Sequence, residues 1–268
     1  MKQRAPLLLL LLSTVLLGCG VSCRTSTVSQ TPTVDKIQQR GTVLVGTTGD
    51  YRPLSYKEPQ TGVYWGFCLD VADEIARKMN VSVTYVATSW PTLTADVQNP
   101  ALFDLAIGGI TITEARLETM DMSEGYLENG KTILCRKEDV GKYTCQEDLN
   151  HPEVRVMVNP GGLNEKFARA NLPDCTLIVY ERNEEIPGQV AEGKADVMIN
   201  EITEAPWYVS NDPRLAAPLL NAPFTHGEIA VLMRKGQEDL LDVVNTTIRE
   251  MKADGRLKAL HEKYGLKD

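Results

Sequence analysis

Between residues 42 and 109 the chain alternates between two spacings of apolar side chains. The run TVLVGTTG (42–49) is β-branched and ends in glycine, which predicts a buried strand. In LDVADEIARKM (69–79) the apolar positions are Leu69, Ala72, Ile75, Ala76 and Met79, the stripe of a helix lying on a core. VSVTYVAT (81–88) predicts a second strand and FDLAIGG (103–109) a third. The alternation then restarts. KTILCRK (131–137) and VRVMVNPGG (154–162) predict strands, and NEKFARANL (164–172) predicts a helix opened by Asn164. TLIVY (176–180) predicts a strand, 184–193 a helix and ADVMINE (195–201) a strand. EIAVLMRKG (228–236) predicts one more strand, and the segment from Asp239 to Gly265 two closing helices.

Strands alternating with helices imply an α/β protein whose sheets are covered by helices. Two such units in succession, with a returning C-terminal segment, predict two lobes joined by two crossover strands near 127–135 and 223–230. The first lobe is expected over 34–132 and the second over 133–228, with 229–268 returning to the first. No internal repeat or low-complexity tract is visible in this part of the sequence.

The first 23 residues break the pattern. MKQRAPLLLLLLSTVLLGCGVSC has basic residues, a leucine-rich core and then small residues, which predicts a secretory signal. The apolar stretch from Ala5 to Leu17 is too short for a membrane span. LLGC, ending at Cys19, also resembles a bacterial lipoprotein cleavage site with Cys19 as the lipidated residue; ordinary cleavage between Gly18 and Arg24 is the alternative. Residues 24–33, RTSTVSQTPT, have the composition of a flexible tether. An exported protein, periplasmic or extracellular, is therefore expected, with the membrane reached only through a lipid anchor at Cys19.

Export permits disulfides. Cys68, Cys135, Cys145 and Cys175 follow the signal, which allows three pairings if all are bridged, and a local bridge between Cys135 and Cys145 is one candidate. None has CxxC spacing, so the cysteines predict no metal or redox site. The formal net charge is −8, and losing Lys2 and Arg4 with the signal leaves −10. No Lys/Arg run offsets it, which argues against nucleic acid as a partner. An anionic ligand would have to be held by a local cation against the field of the whole molecule.

Ligands of open α/β sheets bind beyond the carboxyl ends of the strands. Tyr51 follows the first strand and Trp90 the second, so the pair can sandwich a planar ligand; lobe-core packing is the plainer reading of either. After the third strand, GGITITEAR (108–116) offers bare backbone at Gly109, a hydroxyl at Thr111 and a guanidinium at Arg116. Arg binds a carboxylate through two parallel charge-assisted bonds. In the second unit, the free N–H groups where strand meets helix, around Gly162 and Leu163, can hold an anion, although Pro-Gly-Gly is by itself only a turn. MINEITEA places Glu201 and Glu204 three residues apart, on one face if both lie on a first helical turn. The plainer reading is acidic residues favouring a helix start.

These residues carry a resemblance. GITITEAR with MDMSEGY, and GFCLDVADEIA, are similar to the carboxylate-binding signature and first helix of the family-3 extracellular solute-binding proteins, over about residues 34–266. Within that group TTGDYRPLSY, TSWPTL, VNPGGLNEKFARANL and GKADVMINEITEA resemble the cyclohexadienyl dehydratases, which convert prephenate to phenylpyruvate and arogenate to phenylalanine. The resemblance implies a two-lobed periplasmic-binding-protein-like fold of type II with the ligand cleft between the lobes. It implies that Arg116, Thr111 and Gly109 hold a ligand carboxylate, that Glu201 faces a ligand amine, that Glu204 is the general acid and that Asn164 is a further active-site residue. Cys68, Leu163 and the PFTHGEIAVLM segment depart from the pattern, which bears on substrate choice more than on fold.

The chemistry implied is loss of a ring carboxylate and a ring hydroxyl from prephenate or arogenate, driven by aromatisation. It calls for no metal and no cofactor. The alternative is a non-catalytic amino-acid receptor of an ABC transporter, with Glu204 idle and the transporter permease as partner. Either way the ligand is a small-molecule carboxylate.

Overall fold

A computed structural model describes residues 33–266; the expected signal, the candidate lipid site at Cys19 and most of the expected tether lie outside them. These residues fall within one compact unit containing two five-stranded mixed sheets. The first helix, Thr33–Arg40, begins at the last residue expected for the tether.

The first sheet has the order Ser82–Ala87, Thr42–Thr47, Leu105–Ala106, Leu232–Arg234, Met120–Met122. Its first three strands run parallel, and Leu232–Arg234 is antiparallel to both its neighbours. The second sheet repeats this plan with Thr176–Val179, Arg155–Val158, Val197–Glu201, Lys131–Arg136 and Leu215–Ala216. Again three strands are parallel and the fourth antiparallel to both neighbours. In each sheet the earliest strand of the parallel trio is central, so the two lobes share one topology despite having no sequence repeat.

Two connections join the lobes. Leu127–Asn129 pairs with Gly227–Ile229 as a short antiparallel ribbon, with Asn129 opposite Gly227 and Leu127 opposite Ile229. Beyond it one chain enters the second sheet at Lys131, inside the range expected for the first lobe. The other enters the first sheet at Leu232. The single strand expected over 228–236 is therefore broken at Ala230 and Val231, because its two halves pair with different partners. Gly130 sits where the connections cross: a Cβ there would lie 2.2 Å from the carbonyl oxygen of Thr225.

The helices follow the apolar spacing. Phe67–Met79 buries Leu69, Ala72, Ile75, Ala76 and Met79 against the first sheet, and Asn80 ends it in the left-handed conformation (φ 58°). Glu238–Asp254 and Arg256–Tyr264 close the same core. In the second lobe the helix expected from Asn164 starts at Leu163, with Gly162 as its cap. The candidate Cys135–Cys145 bridge is not formed, and all four described cysteines are free. Cys135 is sealed inside the strand Lys131–Arg136, whereas Cys145 is exposed beyond the following 3-10 turn. Among the described residues no helix is long and apolar enough to cross a membrane.

Candidate functional site

The strand ends of the two lobes enclose a cavity lined from the first lobe by Tyr51, Trp90, Gly109, Thr111 and Arg116. From the second lobe come Gly162, Leu163, Asn164 and Glu201, all of them read from the sequence. Lys131, Asn159 and Asn183 also line it and were not. Glu204 does not.

Arg116 stands in the helix Glu114–Thr119, whose cap Thr113 accepts a hydrogen bond from the Arg116 amide. Its guanidinium donates to the carbonyl of Thr111 at 2.5 Å. Among the described residues it meets no carboxylate. Burial without an anion lowers its pKa to about 10, the expected direction for a cation removed from water. The Tyr51 ring lies against Gly109: a Cβ there would be 2.2 Å from two ring carbons, and the glycine has φ +86°. Only glycine fits both demands. Tyr51 meets Trp90 edge-on, with centroids 6.0 Å apart, and the Trp90 indole donates to Asp50 at 3.1 Å.

The opposite wall is ionisable and closely packed. Lys131 Nζ donates to Asn164 Oδ1 at 2.6 Å and to Glu201 Oε1. Glu201 Oε2 accepts from Tyr51 Oη and, at 2.8 Å, from Asn129 Nδ2. Thr203 donates to Asn129 at 3.1 Å, so Asn129 is held with its nitrogen towards Glu201. Burial pushes the Glu201 carboxyl up to about 8 and the Lys131 ammonium down to about 7. Because the two groups touch, the charged pair and the neutral pair differ by one short proton transfer. Three donors already point at Glu201, two at Oε2 and one at Oε1, so the accepting capacity left to a ligand amine is at Oε1 beside Lys131.

Glu204 lies behind this wall. Glu201 ends a strand and Glu204 caps the next helix, Ala205–Asn211, so the two do not share the helical face expected of them. Glu204 is fully buried; one oxygen accepts from Tyr208 at 3.2 Å and the other has no partner among the described residues. Burial, then the nearby Glu201 and Asp50, hold its carboxyl well above the ordinary range, against smaller opposing effects from Tyr208 and Lys131. Its environment therefore favours the protonated acid over the carboxylate.

The lobes meet around the cavity. Gly161 (φ +71°) approaches so closely that a Cβ would lie 2.7 Å from Pro91 Cα. The enclosed space is about 30 Å³, room for a water molecule or two. A ring ligand needs the cleft to widen and the Tyr51–Glu201 contact to part. Among the described residues no group of three or more His, Cys, Asp or Glu side chains is arranged to hold a metal ion.

Residues 43–267 match the bacterial extracellular solute-binding proteins, family 3. The chain is 36% identical to a cyclohexadienyl dehydratase of Pseudomonas aeruginosa, over 78% of this chain and 77% of that one. It is 29% identical to the L-cystine-binding protein TcyJ of Escherichia coli, over 86% of this chain and 85% of that one. Among solved structures it is similar to an ancestral amino acid-binding protein, AncCDT-1, described as a precursor of cyclohexadienyl dehydratase. There the TM-score is 0.80 and the identity 35%, over 87% of this chain and 99% of that one. Both the two-lobed α/β fold and the small-ligand cleft are thus shared with amino-acid-binding proteins.

Proposed function

The chain belongs to the bacterial extracellular solute-binding proteins of family 3, and we propose that this member is a lyase of the cyclohexadienyl dehydratase kind, acting on prephenate or arogenate outside the cytoplasm. The observation that carries the reading is Glu204, a fully buried carboxyl with one oxygen unpartnered among the described residues, in surroundings that favour its protonated form. A binding protein has no need of such a group, since an ionisable acid buried without a cation is costly.

In this reading Arg116 takes a carboxylate, with Thr111 and the backbone at Gly109 completing the shell. Tyr51 and Trp90 lie against the ring. Glu204 gives its proton to the ring hydroxyl, the C–O bond breaks and water leaves. The electrons of the bond to the ring carboxylate move into the ring, which becomes aromatic as CO2 departs. One proton is consumed, one water and one CO2 are released, and Glu204 regains its proton from solvent after the lobes open. General acids of this sort contribute about 10²–10⁴ in rate. The reading makes one geometric demand: as the cleft widens for the ring, Glu204 must come within hydrogen-bond reach of the departing hydroxyl.

The position of Glu204 outside the cavity lining favours a second reading, a receptor that binds an amino acid and changes nothing. Incubating purified protein with prephenate and following phenylpyruvate absorbance in base separates the two. Sustained turnover above the uncatalysed rate supports the lyase, and its absence with intact ligand binding leaves the receptor.

A further inference from the structure

Asn183 opens the 3-10 turn Asn183–Glu185 in the second lobe and is 3% exposed. It lines the cavity, and its Nδ2 donates to the main-chain carbonyl of Asp50 in the first lobe at 3.0 Å. That bond exists only while the lobes are together. It also settles the orientation of the amide, because only the nitrogen can donate to a carbonyl. The other end, Oδ1, is buried and accepts no hydrogen bond among the described residues. A buried carbonyl oxygen left unpaired is destabilising, so the position points to a donor supplied from outside the chain.

The rest of the wall says which donor. Arg116 presents donors that no acid among the described residues takes and suits the anionic end of a ligand, while Glu201 already accepts from Tyr51, Asn129 and Lys131. Among the residues lining the cavity, Asn183 is the one with a buried side-chain polar atom left without a partner, Oδ1. We propose that Asn183 binds the ligand by accepting a hydrogen bond from its hydroxyl or ammonium group, and that the bond to Asp50 makes this acceptor available only when the cleft is closed. The inference rests on the cavity being the ligand site and holds whether the ligand is turned over or only bound.

Three variants test it: Asn183→Leu removes both ends of the amide, Asn183→Ala does so if the leucine does not fold, and Asn183→Asp keeps an acceptor but loses the donor. Each is titrated calorimetrically with prephenate, which carries a hydroxyl and no ammonium, and with arogenate and L-cystine, which carry an ammonium. KM replaces Kd where a ligand is turned over, and Tm without ligand reports folding. The expected result is at least a tenfold loss for Asn183→Leu with Tm little changed. Asn183→Asp should bind the ammonium ligands as well as the parent or better, and the doubly anionic prephenate as poorly as Asn183→Leu. A structural residue would not give that split. Parent-like affinity in Asn183→Leu overturns the proposal. So does an Asn183→Asp protein as weak as Asn183→Leu towards an ammonium ligand, which leaves only the bond to Asp50. A parent that binds none of the three ligands removes the ligand reading of the cavity as well.

Discussion

The first-lobe wall holds its cation, Arg116, on a short helix with no acid against it, whereas the second-lobe wall holds Lys131 in contact with Glu201 and Asn164. The difference follows from how each is built. Arg116 is fixed by its own neighbourhood, through the Thr113 cap and the Thr111 carbonyl, and no acid among the described residues balances its charge. Lys131 is buried at a strand start and would be strongly destabilising alone, so the fold supplies an acid. On the proposed reading the first wall receives an anion that arrives from outside, and the second, already balanced, serves to move protons rather than to gain a charge. Mutations in the first lobe should therefore act on affinity, and mutations behind the second wall on rate.

The largest expected effect lies behind the second wall. Glu204→Gln keeps the shape and the hydrogen bond with Tyr208 but removes the proton donor. Prephenate turnover should fall by about 100-fold or more while ligand affinity stays near the parent value. Steady-state kinetics alongside calorimetry would show it. An unchanged kcat makes Glu204 a structural acid and removes the lyase reading.

Arg116 sharpens the contrast from the other side. Arg116→Ala should weaken carboxylate binding by about 2–5 kcal/mol, the usual range for breaking a desolvated charge pair. Arg116→Lys should recover only part of it, since the ammonium lacks the planar fork. Calorimetry on folded samples checks both. Equal affinity in parent and alanine variant would mean that the guanidinium serves only the Thr111 carbonyl.

A smaller effect is expected at Trp90. Trp90→Leu keeps an apolar filler but loses both the flat ring and the bond to Asp50. Affinity for ring-bearing ligands should fall by about 0.5–1.5 kcal/mol more than affinity for small amino acids. Equal losses would assign Trp90 to packing between Tyr51 and the core beneath it.

The two walls were also unequally legible in the sequence. Arg116, Thr111 and Gly109 are close in the chain, and a strand end followed by glycine, hydroxyl and guanidinium is a local pattern. The second wall draws on residues far apart. Lys131 reads as the polar first residue of an apolar strand, and only its pairing with Val197–Glu201 brings it to Glu201. Asn129, Asn159 and Asn183 sit in a connection, after a strand and in a turn, where asparagine is commonplace. Glu204 was legible as a residue but not in its depth. The strand-to-helix turn carries it behind Glu201 rather than beside it, and three-residue spacing cannot report that. Strands and helices were read well where the apolar spacing was long. The 228–236 strand was not, because its break depends on which partner each half finds.

The remaining expected effect is on stability, and it tests the protonation on which the rest depends. In the unfolded chain Glu204 ionises near the ordinary value of about 4.5, whereas burial raises it well above this in the fold. At pH values between those two limits the folded chain holds a proton that the unfolded chain has lost. Stability is then highest below the unfolded value and falls as pH rises, by about 1.4 kcal/mol per pH unit for one group. Lys131 and Glu201 are present in parent and variant alike, so whatever their shifted groups add to the slope cancels when the two proteins are compared. Glu204→Gln should therefore melt higher than the parent, with a margin that widens by roughly 3–6 °C for each pH unit across that range. Thermal melts of both proteins in matched buffers from pH 5 to 7 give the comparison. A margin that stays constant with pH would mean that Glu204 is ionised within the fold, which leaves the second wall without a proton to give.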